Sequence, residues 1–435
     1  MSTLRRAIGL PQATALVVGT IIGASIFVQP SEITARVPSV PGVLVVWLAA
    51  GALTLIGALV CAELASIFPR TGGVYVYLRE AFGPPLGFLW GWAMFWSMHS
   101  GIIAAIAVVF ARYAGYVLPM GPAGSKALAI ALILALSAVN YLGVRLGSNL
   151  QALFTLGKLV AIGLIVALGL LLGGRVDAHF VGAATAVTDL TLAGFLAALA
   201  AGLFAFGGWH MVTYSAEETV EPRTTIPRAL LLGTVIVTVA YIAMNAVYLY
   251  ILPLDTVAAS SRVAADFADR LLGFGGGAMM AAIVMFSTFG ALAGIILAGP
   301  RVYLAMAQDG LSFPWLGGIH PRFRTPHRAI LLQAAWSSVL VATGTFRVLF
   351  TRVVYTEWIF FGLMTIGLFL LRRRPGLARD YSVWGYPVLP ALFVVAAFAV
   401  VAHQVIASPG ETLSGLGLVV AGLPVYWLWT RRGAK

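Results

Sequence analysis

Two stretches of this chain could hold a small zwitterion by backbone atoms alone. The first is VGTIIGASIFVQP, residues 18–30, where Gly19, Gly23, Ala24 and Ser25 interrupt an apolar run. Small residues weaken a helix there and let the backbone unwind. In a chain break at that depth, the second helix half starts at residues 24–26 with N–H groups aimed into the gap. The first half ends at Ile21 and Ile22 with carbonyls facing the same gap. Such ends attract an anion on one side and a cation on the other. The same glycines could instead serve only close helix packing.

The second stretch is GLFAFGGWHMVTYSAEE, residues 202–218, where Gly207 and Gly208 break an apolar run and His210 and Thr213 follow. Three ionisable residues stand within other apolar runs. Lys158 is about ten residues inside its span; a lysine there normally faces the bundle interior with a partner, the alternative being that it snorkels to a helix end. Glu357 lies in the outer half of a late span and can act as a gate or proton site. His210 can bond a substrate, titrate, or be held structurally. His99, in FWSMHSG, reads as structural at least as well as substrate-facing, and His403 as peripheral.

The elements that must position these residues follow from composition. Of 435 residues, 60% are hydrophobic and 10% charged, which excludes a soluble domain and indicates an all-α polytopic membrane protein. The single cysteine, Cys61, sits inside an apolar span and allows no disulfide framework. The N-terminus carries no small-residue cleavage site and reads as an uncleaved start. Twelve spans are expected, near 11–36 (broken), 43–67, 85–118, 126–143, 149–173, 192–215, 228–252, 275–307, 329–345, 349–371, 387–406 and 412–430. The third and eighth are long and should tilt.

With the N-terminus inside, inner segments hold eighteen of the 27 Lys and Arg residues, among them Arg70, Arg301, Arg324 and Arg372. Outer segments hold seven: Arg36, Lys126, Arg175, Arg262, Arg270, Arg347 and Arg352. Arg112 and Lys158 fall within spans. This asymmetry puts both termini in the cytoplasm, with the chain in the cell membrane. It also accounts for the +12 net charge without nucleic acid. The run Glu217, Glu218, Glu221 and Arg223 reads as a solvated face or an inner gate, and Glu63 as a partner for Arg70 or another inner cation. Trp90, Trp92, Trp96 and Trp427 read mostly as interface anchors or lipid-facing bulk.

The breaks at Gly23 and Gly207, and the long spans starting near 85 and 275, are each offset by a little under two hundred residues. Two sets of five spans, each opening on a broken one, are the pattern of an inverted-repeat transporter. The whole chain, 1–435, is one transmembrane domain, with repeats at about 8–174 and 190–372 and peripheral spans at about 385–430. An intramembrane enzyme or receptor is the remote alternative. Ser25 has no evident base, and the scattered histidines offer no metal or cofactor site.

Five motifs together resemble the amino acid–polyamine–organocation transporter superfamily, and within it the L-type amino acid transporter group. They are GTIIGASIF, GLFAFGGWHMVTYSAEE followed by Pro227-Arg228-Ala229, CAELASIFPRTGGVYVYL, AGPRVYLAMAQDG and HPRFRTP. The resemblance covers about residues 8–380 and implies a LeuT-type fold, a 5+5 inverted repeat with discontinuous spans 1 and 6 and two peripheral helices. It implies alternating access by a sodium-independent amino acid exchanger or proton-coupled permease, with a polyamine or other amine permease as the alternative.

It also implies roles. The amides of Ala24, Ser25 and Ile26 would hold the substrate carboxylate, and the carbonyls of Ile21, Phe204, Ala205 and Gly207 its ammonium. Ile22, Gly23, Phe206, Trp209 and His210 complete the expected site, and Phe204 would be the aromatic gate. Lys158 would occupy the place of sodium in coupled relatives, bonding Gly19 and Ile22 carbonyls and Ser287 or Thr288. Two departures stand out: Ala24 and Ser25 replace the family's glycine–serine–glycine order, and His210 stands where asparagine is common. With no carboxylate expected beside either break unless Glu357 reaches in, neutral amino acids are the expected substrates. The outer loop after the third span lacks the cysteine by which mammalian relatives attach a heavy subunit, so no disulfide-linked partner is expected.

Overall fold

The structure, a computed structural model, describes residues 3–116, 118–174, 176, 191–273, 275–345 and 355–433. Arg175, Arg347, Arg352 and Lys435, counted in the charge asymmetry, lie outside these residues, as does the start of the tenth expected span at 349–354. The described residues are helical, with one bridge pair between Ile8 and Thr219 as the sole extended pairing.

Among the described residues, nine helices are long and apolar enough to cross a membrane. A tenth crossing is the pair Leu10–Ile21 and Ser25–Arg36, bent by 47° at the break. The ninth and tenth expected spans correspond to helices His327–Thr343 and Thr356–Arg372, each of 17 residues. In a bilayer every backbone group must be satisfied within its own segment, so apolar runs of this length fold as helices. Local signals set their ends. Ser39 accepts a hydrogen bond from the Gly42 amide and starts Val40–Ile67, and Pro222 fits the first turn of Pro222–Ile251.

The two long spans are not uniform rods. The third, Pro84–Ala114, carries a π-helical turn at Met94–Met98 just before His99. The His99 ring bonds the Ile295 carbonyl at 2.8 Å, so this histidine is a structural tie between spans. The eighth, Gly276–Gln308, is interrupted at Gly299, just before Pro300 removes a backbone donor.

The core forms where Leu10–Ile21, Val40–Ile67 and Pro222–Ile251 pack together. A Cβ at Gly51 would stand 2.5 Å from the Thr238 methyl, so glycine there permits the close crossing. Trp47 meets Tyr241 edge-on, with ring centroids 5.3 Å apart, and Phe206 fills the same cluster. Exposed Leu153, Leu156, Leu164, Val239, Leu392 and Ile406 give the perimeter an apolar surface suited to lipid.

Trp90 departs from its expected place. It is fully buried against His210, Phe360 and Phe361, because its span runs through the bundle interior and not along its perimeter. Trp96 and Trp427 are exposed, as lipid- or interface-facing residues are. Arg301, expected in an inner connection, is instead fully buried within Pro300–Gln308.

Candidate functional site

The first span ends its inner half at Ile21, and Ile22 leaves helical geometry with φ −73° and ψ 90°. The next helix opens at Ser25, capped by no side chain. A helix start leaves its first amides short of intrahelical acceptors; here the Phe27 amide donates to Ala24 O at 3.1 Å. In the sixth span, Leu192–Ala205 stops at Phe206, and Gly208 adopts φ 101° before the 3-10 stretch Trp209–Glu218. A Cβ on Gly208 would stand 3.0 Å from the Thr20 carbonyl oxygen, so both its φ and its closeness to the first span require glycine. The Thr20 hydroxyl, 2.6 Å from Leu16 O of its own helix, also lies 3.2 Å from Gly208 O, so the two breaks stand side by side.

Between the breaks lies a cavity of ≈ 300 Å³. Ile21, Gly23, Ala24 and Ser25 line it from the first break, and Phe204, Gly207 and Trp209 from the second. Ile102 and Ile106 of the third span, with Glu357, Trp358 and Phe361 of the Thr356–Arg372 helix, complete the wall. Among the residues expected at the site, Ile26, Ala205, Phe206 and His210 are fully buried behind this lining. Phe206 turns toward Trp47 and Tyr241. Ile22 turns to the opposite side of the break, toward Lys158.

Lys158 is buried with its ammonium against the first break. It donates to Gly19 O at 3.0 Å and to Ile22 O at 2.6 Å. Ser287 adds a hydroxyl that donates to Gly23 O at 3.0 Å. Thr288 takes no part, since its hydroxyl bonds Val284 O and Met285 O of its own helix. A cationic donor thus satisfies carbonyls that the unwound turn leaves without helix partners.

Sequence reasoning missed Tyr241. Its buried hydroxyl lies 3.2 Å from Ile21 O and 3.1 Å from Ala205 O, so one proton is shared between the carbonyl ends of both breaks. The available signal was a tyrosine inside an apolar helix, whose hydroxyl needs an internal acceptor. Ala205 O keeps a second lone pair for a substrate ammonium, whereas Ile21 O also accepts from the Gly23 amide at 2.9 Å.

Glu357 meets the exception attached to the expectation that no carboxylate stands beside either break. It lines the cavity, and its Oε1 lies 3.9 Å from Nε2 of buried His210. The first turn of its helix projects inward between the third and sixth spans, which spacing along the chain alone does not reveal.

The cavity is closed on the side of the N-terminus. Trp209 to Ala216 are all buried there. Arg301 grips Glu218 with two bonds of 2.7 and 3.0 Å, both side chains having no solvent exposure. The Ala7 and Ile8 amides donate to Glu218 O at 2.8 and 3.0 Å, which ties the N-terminal segment over the same plug. Glu218 is therefore an internal latch and not part of a solvated run. Glu217 accepts from the Thr71 amide, and Arg223 pairs with Asp380. Glu63 pairs with Arg372 at 2.5 and 2.7 Å, while Arg70 takes Glu80. On the other side, Val28 and Phe204 are part-exposed along the cavity wall, so the site is reached from the face opposite the N-terminus.

Two helix breaks facing one cavity, latched on one side and open on the other, define a membrane transporter and not an enzyme. The profile of the family described as amino acid permease matches residues 8–424, and the chain belongs to that family. It is 35% identical to the serine/threonine exchanger SteT of Bacillus subtilis (strain 168), over 99% of this chain and 98% of that protein. It is 32% identical to the human b(0,+)-type amino acid transporter 1, over 98% and 88% of the two chains. Identity to the human Asc-type amino acid transporter 1 is also 32%, over 98% and 82%.

Proposed function

We propose that this protein exchanges neutral amino acids across the cell membrane, independently of sodium, by alternating access around the cavity between Gly23 and Gly207. The observation that carries this reading is the facing pair of helix ends. First-turn amides from Ser25 stand on one edge, and the Ile21 and Ala205 carbonyls on the other. A free α-carboxylate and α-ammonium match that pair of partial charges. The substrate carboxylate meets the amides of Ala24, Ser25 and Ile26, and Phe204 closes over the ligand from the open face. Lys158 fills the place where a sodium ion would otherwise organise the first break, which supports sodium independence.

The fold reading is twelve crossings in a 5+5 inverted repeat, with the two 17-residue helices as the ninth and tenth. Both termini then lie in the cytoplasm, and the latch Arg301–Glu218 is the inner gate of an outward-open state. The relatives named as exchangers and amino acid transporters support amino acids over polyamines. The buried position of Cys61 supports a chain that works without a disulfide-linked partner.

The test is uptake of labelled L-serine, L-alanine and L-leucine into proteoliposomes, empty or preloaded with the same amino acid, with sodium or potassium outside. Uptake confined to preloaded vesicles and indifferent to sodium is the expected result. Uptake into empty vesicles driven by sodium or a proton gradient would overturn exchange, and uptake of amines alone would overturn the substrate class.

A further inference from the structure

We propose that Glu357 determines specificity by binding a cationic side chain, so that the exchanger takes amino acids ending in an ammonium or guanidinium as well as neutral ones. The inference rests on the amino acid site described above and concerns its side-chain end. Among the described residues lining the cavity, Glu357 is the one that is ionisable, and its side chain is 9% exposed. Among the described residues its carboxylate accepts no hydrogen bond from the protein, and no lysine or arginine reaches it. Nε2 of His210 lies 3.9 Å from Oε1 of Glu357, beyond hydrogen-bonding distance. Both ring nitrogens of His210 also lack partners, in a cage of Trp90, Trp209, Tyr214 and Phe361.

A carboxylate held this far from water and left without a donor is costly, and a cation delivered by the ligand removes that cost. The surroundings favour a cation independently. Trp209, Trp358 and Phe361 stand in the same wall, with Trp209 and Trp358 centroids 5.0 and 5.8 Å from that of Phe361. Aromatic faces attract ammonium and guanidinium groups. Glu357 stands in the wall of the same cavity as Gly23, Ser25, Gly207 and Gly208 of the two breaks, so the side chain of an amino acid held there shares its space. Small neutral side chains stop short of Glu357 and leave water beside it, which lets both classes occupy one site.

The experiment compares two isosteric ligand pairs, L-lysine with L-norleucine and L-ornithine with L-norvaline. Each competes for labelled L-serine counterflow in proteoliposomes of the full chain, for the parent, Glu357→Gln and Glu357→Asp. We expect L-lysine and L-ornithine to inhibit the parent at least as well as their neutral isosteres. In Glu357→Gln that inhibition should weaken by about tenfold or more, the scale of a lost hydrogen bond to a charged group. L-norleucine should be unaffected, and Glu357→Asp should keep part of the preference. Elution as a single species and a melting temperature close to the parent's show that each variant is folded. Equal loss for charged and neutral ligands, or no inhibition of the parent by L-lysine and L-ornithine, would overturn the proposal while leaving neutral exchange intact. So would serine-driven proton movement that Glu357→Gln abolishes, since the carboxylate would then carry a proton and not a substrate cation. Absence of serine counterflow in the parent would instead sink the transport reading itself.

Discussion

The ammonium of Lys158 lies 2.6 Å from the carbonyl oxygen of Ile22, the residue at which the first span stops being a helix. A side chain of the fifth span therefore holds the turn that forms half of the binding cavity. Lys158→Ala removes two charge-assisted bonds, each worth about 1.5–3 kcal/mol. Counterflow of L-serine should fall at least about tenfold, with the protein still eluting as a single species. Unchanged counterflow would mean that the turn keeps its shape without the lysine.

Tyr241 offers a milder perturbation of the same region. Tyr241→Phe keeps the ring packed on Trp47 but removes the hydroxyl shared by Ile21 O and Ala205 O. Two buried carbonyls lose a donor, at about 1–3 kcal/mol. Substrate affinity should weaken severalfold in a competition assay, with little change in melting temperature if substrate ammonium and water compensate. A large drop in melting temperature with normal affinity would make Tyr241 a scaffold residue only.

The latch between Arg301 and Glu218 has no solvent exposure on either side chain. Breaking a buried pair from one side costs about 3–5 kcal/mol, because the other charge is left uncompensated. Glu218→Gln should lower the melting temperature and loosen the N-terminal side of the cavity. The double replacement Glu218→Leu with Arg301→Met should recover much of the stability. Its transport rate should not recover if the pair works as a gate. Additive losses in the double variant would show that the two residues act independently.

A charged cluster outside the spans gives a pH dependence. Burial raises the Glu80 carboxyl, but hydrogen bonds from Arg79 and Arg70 outweigh it and hold the group below its usual value of 4.5. Arg79 also pairs with Asp309, linking Val74–Phe82 to the end of the eighth span. A depressed carboxylate stabilises the folded state above its unfolded pKa, and that stability is lost as pH falls through the lower folded value. Melting temperature should therefore decline below about pH 4.5, and less steeply in Glu80→Gln. Identical acid profiles for the two proteins would assign the decline to other carboxylates.

Much of this arrangement was legible in the chain because it rests on local chemistry. Glycines at 23, 207 and 208 break apolar helices wherever they sit, and a lysine at 158 needs an internal partner. The placement of Glu357 and Trp90 was not legible, since it depends on which face of one helix meets another. Nor was the choice of partner for Glu63, which takes Arg372 from a helix some three hundred residues away and leaves Arg70 to Glu80. Tyr241 was hidden for the same reason, as its acceptors are carbonyls freed only when both spans unwind together.

The central claim is that substrate occupies the gap between the two breaks, with its carboxylate at the opening turn after Ala24. Ser25 lines that gap and is part-exposed, while Cys61 is buried. A Ser25→Cys protein in a Cys61→Ser background should react with a membrane-impermeant maleimide from the open face. Saturating L-serine should slow that reaction at least severalfold, and ethanolamine, which lacks the carboxylate, should not. Labelling at the same rate with and without L-serine, in protein that still exchanges it, would contradict the account.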